Sequence, residues 1–349
     1  MYFSNYPIQK EKRSLISKRN ILMFLCAFIV LILAAAGLAG SYVHAAIYDP
    51  ASKSGQTVHF TVAQGEGTRQ ISEKLERQKL IKSSLVFIGY LKFKDKGAKI
   101  QVGDYALKKN MTMLQVIDML TGGDVITTKI TIPEGWTDTQ IENELIKKGV
   151  TTDAGFKNAI SQKYNYSFLK ENPAGDLQGF LYPDTYLLSS KPTAKEAITK
   201  MLDEFKQKAD PVIRAKLSSQ SLTYYQILTL ASIVEREVQS NTDKKIVAGI
   251  FLNRLNSDMP LGSDATIQFI LGSNKRIFSD QDIAVDSPYN TYINKGLPPG
   301  PIANPSLESI EAVLNPTKTD YFYFFTGKDG KTYFSKTQEE HDALKAKYL

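Results

Sequence analysis

Leu228–Val238 reads LTLASIVEREV, a nearly unbroken apolar run that ends in two acids around an arginine. At 100° per residue on a helix, Glu235 falls on the stripe of Tyr224, Leu228, Ala231 and Val238, while Glu237 points elsewhere. A carboxylate on a buried face is costly unless it is paired, neutralised or used. Two readings stay open at this point: a helix-surface acid paired with an Arg or Lys, or a working acid whose pKa is raised by apolar surroundings. The wider segment, Thr223 to Val238, is apolar nearly all round, so it is expected as a buried central helix.

Its neighbours are also helical by pattern. Thr193 to Lys208 places Ile198, Met201, Leu202 and Phe205 on one side. Asp243 to Leu255 carries Ile246, Val247, Ile250, Phe251 and Leu255, and Ser306 to Leu314 follows a loop-rich stretch. DYFYFFTGKDGKTYFS, from Asp320, reads as a β-hairpin turning at GKDGK. Upstream, TVAQGEGTRQISEKL from Thr61 recurs weakly as TIPEGWTDTQIENEL from Thr131, each copy reading strand, glycine turn, helix. The predicted class is α+β. The divisions are a tail 1–20, a membrane helix 21–43, a linker 44–57, an αβ module 58–125 and a mainly helical domain 126–349 ending in the hairpin.

Ile21 to Gly40 has no charged residue and is long enough to cross a bilayer. Lys10, Lys12, Arg13, Lys18 and Arg19 precede it, which places the N-terminus in the cytoplasm and the bulk outside. A cleaved signal peptide is the alternative, but the run is long for one. The tail carries +4 of the net +7, so the rest offers no basic face for nucleic acid. The single cysteine, Cys26, lies in the apolar run, so no disulfide supports the folded part.

The three histidines are scattered and no HExxH, GxSxG, SxxK, Walker A or GxGxxG pattern occurs, so no metal or cofactor is expected. Carboxylates, amides, hydroxyls and tyrosines remain, a set suited to carbohydrate chemistry. The loop YNTYINKGLPPGPIANP adds stacking faces at Tyr289 and Tyr292, hydrogen-bonding groups at Asn290, Thr291 and Asn304, and a proline-stiffened backbone.

LASIVEREV, FLNRL, LGSDATIQF, SPYNTYINKGLPPGPIANP and YFSKTQEEH occur in this order after IPEGWTDTQI and GFLYPDTY. Together they resemble the YceG-like family, the endolytic murein transglycosylases of the MltG type, from about Val58 to Leu349. The first αβ module resembles LysM, a fold that binds N-acetylglucosamine polymers.

The resemblance implies cleavage of the N-acetylmuramic acid–β-1,4–N-acetylglucosamine bond inside nascent peptidoglycan strands. The muramic C6 hydroxyl closes on C1, leaving a 1,6-anhydro end and terminating the strand. The acid of the family's ASIVE motif is Glu235 here, which would serve as acid and then base. Substrate contacts are expected from Ser263, Asp264, Thr266, Tyr289, Asn290, Thr291, Tyr292, Asn304 and Tyr182. Asp264 has helix capping as its alternative role. The family commonly has glutamine at the position of Gly262 and proline at that of Ala265, so a glutamine contact is not expected. Expected partners are glycan strands, the membrane through one helix, and penicillin-binding or other wall-synthesis proteins. Other readings are an inactive peptidoglycan-binding scaffold and a water-using muramidase, with Asp264 as its second carboxylate.

Overall fold

The computed structural model describes residues 18–94, 99–273, 275 and 277–349. Most of the expected basic tail, residues 1–17, lies outside the described residues. The chain divides between Ile126 and Thr127 into two compact units.

The first unit opens with α1 (Lys18–Tyr48). It is the one described helix long and apolar enough to cross a membrane by length and composition. It runs past the expected boundary at Val43, so His44 to Tyr48 are helical rather than linker. Ala46 is buried and Ile47 packs on the module core, which makes the helical continuation favourable. The module follows as β1 (Thr57–Val62), α2 (Thr68–Arg77), α3 (Ser84–Phe93), β2 (Gly103–Lys108) and α4 (Met113–Gly122). β1 and β2 pair antiparallel with Phe60 opposite Tyr105, and both rings enter a core with Leu75, Leu80, Phe87 and Leu120.

The second unit repeats the opening. β3 (Thr128–Thr131) leads through a glycine turn to α5 (Asp138–Lys147). Gly65 and Gly135, equivalent in the two copies, have φ of +79° and +72°, where a side chain is strained. Gln70 and Gln140 each accept from the backbone N–H three residues earlier, at 3.1 and 2.9 Å. The sequence repeat therefore records a shared left-handed turn and helix cap.

After α6 (Asp153–Ile160), β4 (Thr185–Leu188) pairs antiparallel with β3. A helical layer follows: α7 (Ala194–Leu217), α8 (Tyr224–Glu237), α9 (Asn241–Asn256), α10 (Asp264–Leu271), the short α11 (Asp280–Ile283) and α12 (Leu307–Leu314). α7 outruns the expected end at Lys208 and continues through Pro211. There Asp210 accepts from Arg214 Nε at 2.8 Å and from the Tyr224 hydroxyl at 3.0 Å, tying that turn to α8. Ten residues of α8 are buried, from Tyr224 to Val234, so it is the central helix. β5 (Tyr323–Thr326) and β6 (Thr332–Ser335) pair antiparallel across Gly327–Lys331, and α13 (Gln338–Tyr348) closes the chain.

Gly249, inside α9, lets the irregular segment 317–321 lie on the helix. A Cβ there would stand 2.3 Å from the Thr317 carbonyl oxygen. Asn253 Nδ2 donates to the Thr319 and Tyr321 carbonyls at 2.8 and 3.0 Å, holding the same segment. In an open helix Gly→Ala gains about 1 kcal/mol. Here backbone must move, so Gly249→Ala is expected to destabilise the protein by about 1–3 kcal/mol, measured as a lower urea midpoint.

Candidate active site

Glu235 is not in an apolar place. Its side chain is 7% exposed and faces Lys244 on α9, itself 4% exposed, with Nζ to Oε1 at 3.0 Å. Its other oxygen accepts from Ser306 N at 2.9 Å, from the Ser306 hydroxyl and from Ser309 Oγ at 2.7 Å. Lys244 also donates to Ser306 Oγ at 3.2 Å. Burial pushes the Glu235 carboxyl up, but the two serine hydroxyls, Lys244 and the Ser306 N–H outweigh it and leave it below its ordinary value. The expectation of a raised pKa is therefore corrected. The acid is paired with a lysine, but inside the protein rather than on a helix surface, because partners 9, 71 and 74 positions away converge on it.

Glu237, the last residue of α8, has the opposite environment. Burial pushes its carboxyl up to about 7, against a hydrogen bond from Ser263; the Asp264 charge adds to the rise, while the Ala265 N–H and Arg254 oppose it. Ser263 Oγ donates to Glu237 Oε1, so this residue, which begins α10, spends its hydroxyl on the acid rather than on capping the helix. Asp264 accepts from the Tyr292 hydroxyl at 2.5 Å. Ser263 N donates to Thr291 Oγ1 at 2.9 Å, and that hydroxyl lies 2.9 Å from Thr266 Oγ1. Five of the expected site residues thus gather at Glu237, which was not among them: Ser263, Asp264, Thr266, Thr291 and Tyr292. The sequence signal for Glu237 is its place at the end of an apolar helix.

The other expected contacts divide. Asn304 is buried and saturated. Its Oδ1 accepts from Gly179 N and Leu181 N at 2.9 and 2.8 Å, and its Nδ2 donates to Trp136 O and Asp138 Oδ1, both at 3.0 Å. Asn290 is buried, donating to the Ile283 and Val285 carbonyls and accepting from Tyr292 N. Thr266 and Thr291 are also buried, so these four residues hold the loop together by contacts within the protein. Tyr289 packs against Phe269, with ring centroids 5.0 Å apart and planes tilted by 50°. Tyr182 lies in a different cleft, with Pro133, Glu134, Asp184, Lys208 and Glu308. Gly262 has φ of +53°, and a Cβ there would lie 3.6 Å from Arg254 Nη1 and 3.8 Å from the Tyr292 ring. At Gly262 the Tyr292 ring and Arg254 thus face bare backbone. Among the described residues no group of three or more His, Cys, Asp or Glu could hold a metal ion.

Residues 60–347 match the sequence profile of the YceG-like family. The chain belongs to the YceG-like family. Two relatives extend the match. An "Endolytic murein transglycosylase" of Bacillus subtilis is 33% identical, covering 87% of this chain and 88% of that protein. A protein of the same name from Streptococcus pneumoniae is 32% identical, covering 95% of this chain and 66% of the longer relative. A crystal structure of a YceG-like protein from Listeria monocytogenes, solved at 2.6 Å, is 34% identical. It superposes with a TM-score of 0.57 over 83% of this chain and 100% of that one.

The buried pair gives a direct test of this YceG-like site. Lys244→Met removes the lysine paired with Glu235 and leaves a carboxylate without its cation. A loss of about 3–5 kcal/mol is expected, read by chemical denaturation. Combining it with Glu235→Gln should recover part of that loss.

Proposed function

We propose that this chain is a membrane-anchored endolytic lytic transglycosylase that cuts the muramic acid–β-1,4–glucosamine bond of nascent peptidoglycan and so ends strand elongation. The names of its relatives support the reaction class. The observation that carries the site is the pair of acids on one helix end, one held ionised and one pushed up to about 7. A general acid needs a proton to give near neutral pH. Glu237 has that property, whereas Glu235 is ionised and enclosed by four donor groups.

In this reading Glu237 protonates the glycosidic oxygen as the bond to muramic C1 breaks. The carboxylate so formed takes the proton from the C6 hydroxyl as that oxygen bonds to C1. The products are a 1,6-anhydro-muramic end and a new glucosamine terminus, with no water consumed. Ser263 orients the carboxyl, and Asp264, held by Tyr292, raises its proton affinity. Glu235 is a positioning residue: it fixes the end of α8 against α9 and α12. A second reading keeps Asp264 as a base for water, favoured by its charge beside Glu237, and would give ordinary reducing ends.

The helix α1 supports an anchor with its N-terminus in the cytoplasm and the folded units outside. There the enzyme would meet new strands and the penicillin-binding polymerases that make them. The βααβ order of the first module supports a LysM-like role in holding glycan.

Mass spectrometry of uncrosslinked strands after incubation with purified protein tests the chemistry. Anhydro ends are expected from the wild type, with Glu237→Gln slower by about 10²–10⁴-fold and still folded by circular dichroism. Full activity in Glu237→Gln, with none in a folded Glu235→Gln, would return the acid role to Glu235. Fragments with reducing ends would establish the muramidase, and strands bound but uncut would leave a scaffold.

The pH profile gives a separate check. The protonated fraction of Glu237 falls as pH rises through about 7, so kcat is expected to fall there. Asp264→Asn removes a negative neighbour, makes the ionised Glu237 less costly and lowers its pKa. The alkaline limb should therefore move to lower pH, whereas Glu235→Gln should lower kcat and stability without moving it.

A further inference from the structure

The outer face of α3 is apolar where a water-facing helix should be polar. Leu85 is 81% exposed and Phe93 80%, eight positions apart, with Gly89 between them on the same stripe. The opposite face, with Phe87 and Leu91, is already buried in the module core, so folding of this unit does not need the exposed one. Val86 and Tyr90 flank the stripe. Together with Val43 and Ile47 of α1 they line a groove of about 450 Å³.

The position of this face on α1 identifies what it meets. About 20 apolar residues cross the hydrocarbon core, so a span beginning at Ile21 reaches its far edge around Gly40. Val43 and Ile47 lie one to two turns beyond, at the level of the headgroups. Tyr42 and Tyr48 stand on the same part of the helix, and aromatic residues favour that depth. Lys92 and Lys94 are exposed at the end of α3 and can reach anionic headgroups from there. The helix does not end in a free linker that would let the module drift. Asp49, just past α1, pairs with Lys82, just before α3, at 3.2 Å.

We infer that the α3 face of the first module is seated in the outer leaflet, with Leu85 and Phe93 dipping to the headgroup–acyl boundary beside the emerging α1. The occupant of the face is lipid. Continuity with an apolar helix that is itself lipid-facing argues for this, since a partner protein would have to share the groove with the headgroups around α1. The seat rests on α1 crossing the bilayer. It adds to that anchor a fixed orientation of the module on the membrane surface.

The test places a single indole on the face. The full chain carrying Trp136→Phe has no tryptophan, and Phe93→Trp or, separately, Leu85→Trp restores one. Both positions are exposed, so the fold should persist, and circular dichroism checks it. The proteins are reconstituted into vesicles of phosphatidylcholine and phosphatidylglycerol. Brominated acyl chains are expected to quench both indoles, with blue-shifted emission and little quenching by aqueous iodide. Indoles open to iodide and untouched by bromine, in chains that resist carbonate extraction, would overturn the seat while leaving the anchor intact. Chains extracted by carbonate would overturn the anchor and the seat together.

Discussion

A glutamate and a lysine almost without solvent exposure lie at the junction of three helices in the second unit. Removing two charges from water is expensive, and their attraction does not by itself make such a pair better than packed hydrocarbon. What the pair supplies is register. Glu235 takes its donors from α9 and from Ser306 and Ser309 at the head of α12. Sliding any of these helices by one residue would strand a buried charge. The Ser306 hydroxyl also accepts from Ser309 N at 3.3 Å, so the cap of α12 and the neutralisation of Glu235 are one structure.

The consequence reaches Glu237 through two residues of helix. Positions two apart on a helix point about 200° from each other, so fixing Glu235 inward toward α9 and α12 turns Glu237 toward the start of α10. α8 stops there, with Val238 extended at φ −142° and ψ 154°. One acid receives three hydroxyl or amide donors and a cation, and stays ionised. The other is pushed up to about 7 by burial, with Asp264 beside it adding to the rise, although it receives Ser263 and the Ala265 N–H. Identical side chains acquire different chemistry from their surroundings alone.

Much of the helical frame was legible in the sequence because it follows from local periodicity. α8, α9 and α12 lie within a few residues of their expected positions, and the repeat at Gly65 and Gly135 marks real left-handed turns. The site was less legible. Nothing near LTLASIVEREV tells that Lys244, Ser306 and Ser309 converge on Glu235, since that depends on how three helices pack. The same limit explains Asn290, Thr291 and Asn304. Polar groups in a proline-rich loop read as substrate contacts, yet each is buried. A loop without a regular ladder must satisfy its backbone by other means, and these side chains do so.

That substitution of side chains for a ladder bears on catalysis. Asn304 ties the far end of the loop to Gly179, Leu181, Trp136 and Asp138, and Asn290 ties the near end to Ile283 and Val285. Between them, Thr291 accepts from Ser263 N and Tyr292 holds Asp264. The loop is thus fixed at both ends, and its middle holds two groups, Ser263 and Asp264, that adjust in opposite directions a proton affinity raised mainly by burial. A flexible loop would let Asp264 turn to water, removing the part of the rise that its charge adds to burial. In the proposed mechanism the proton affinity of Glu237 therefore rests on burial and, through Asp264 and Ser263, on a loop that buried amides hold in place.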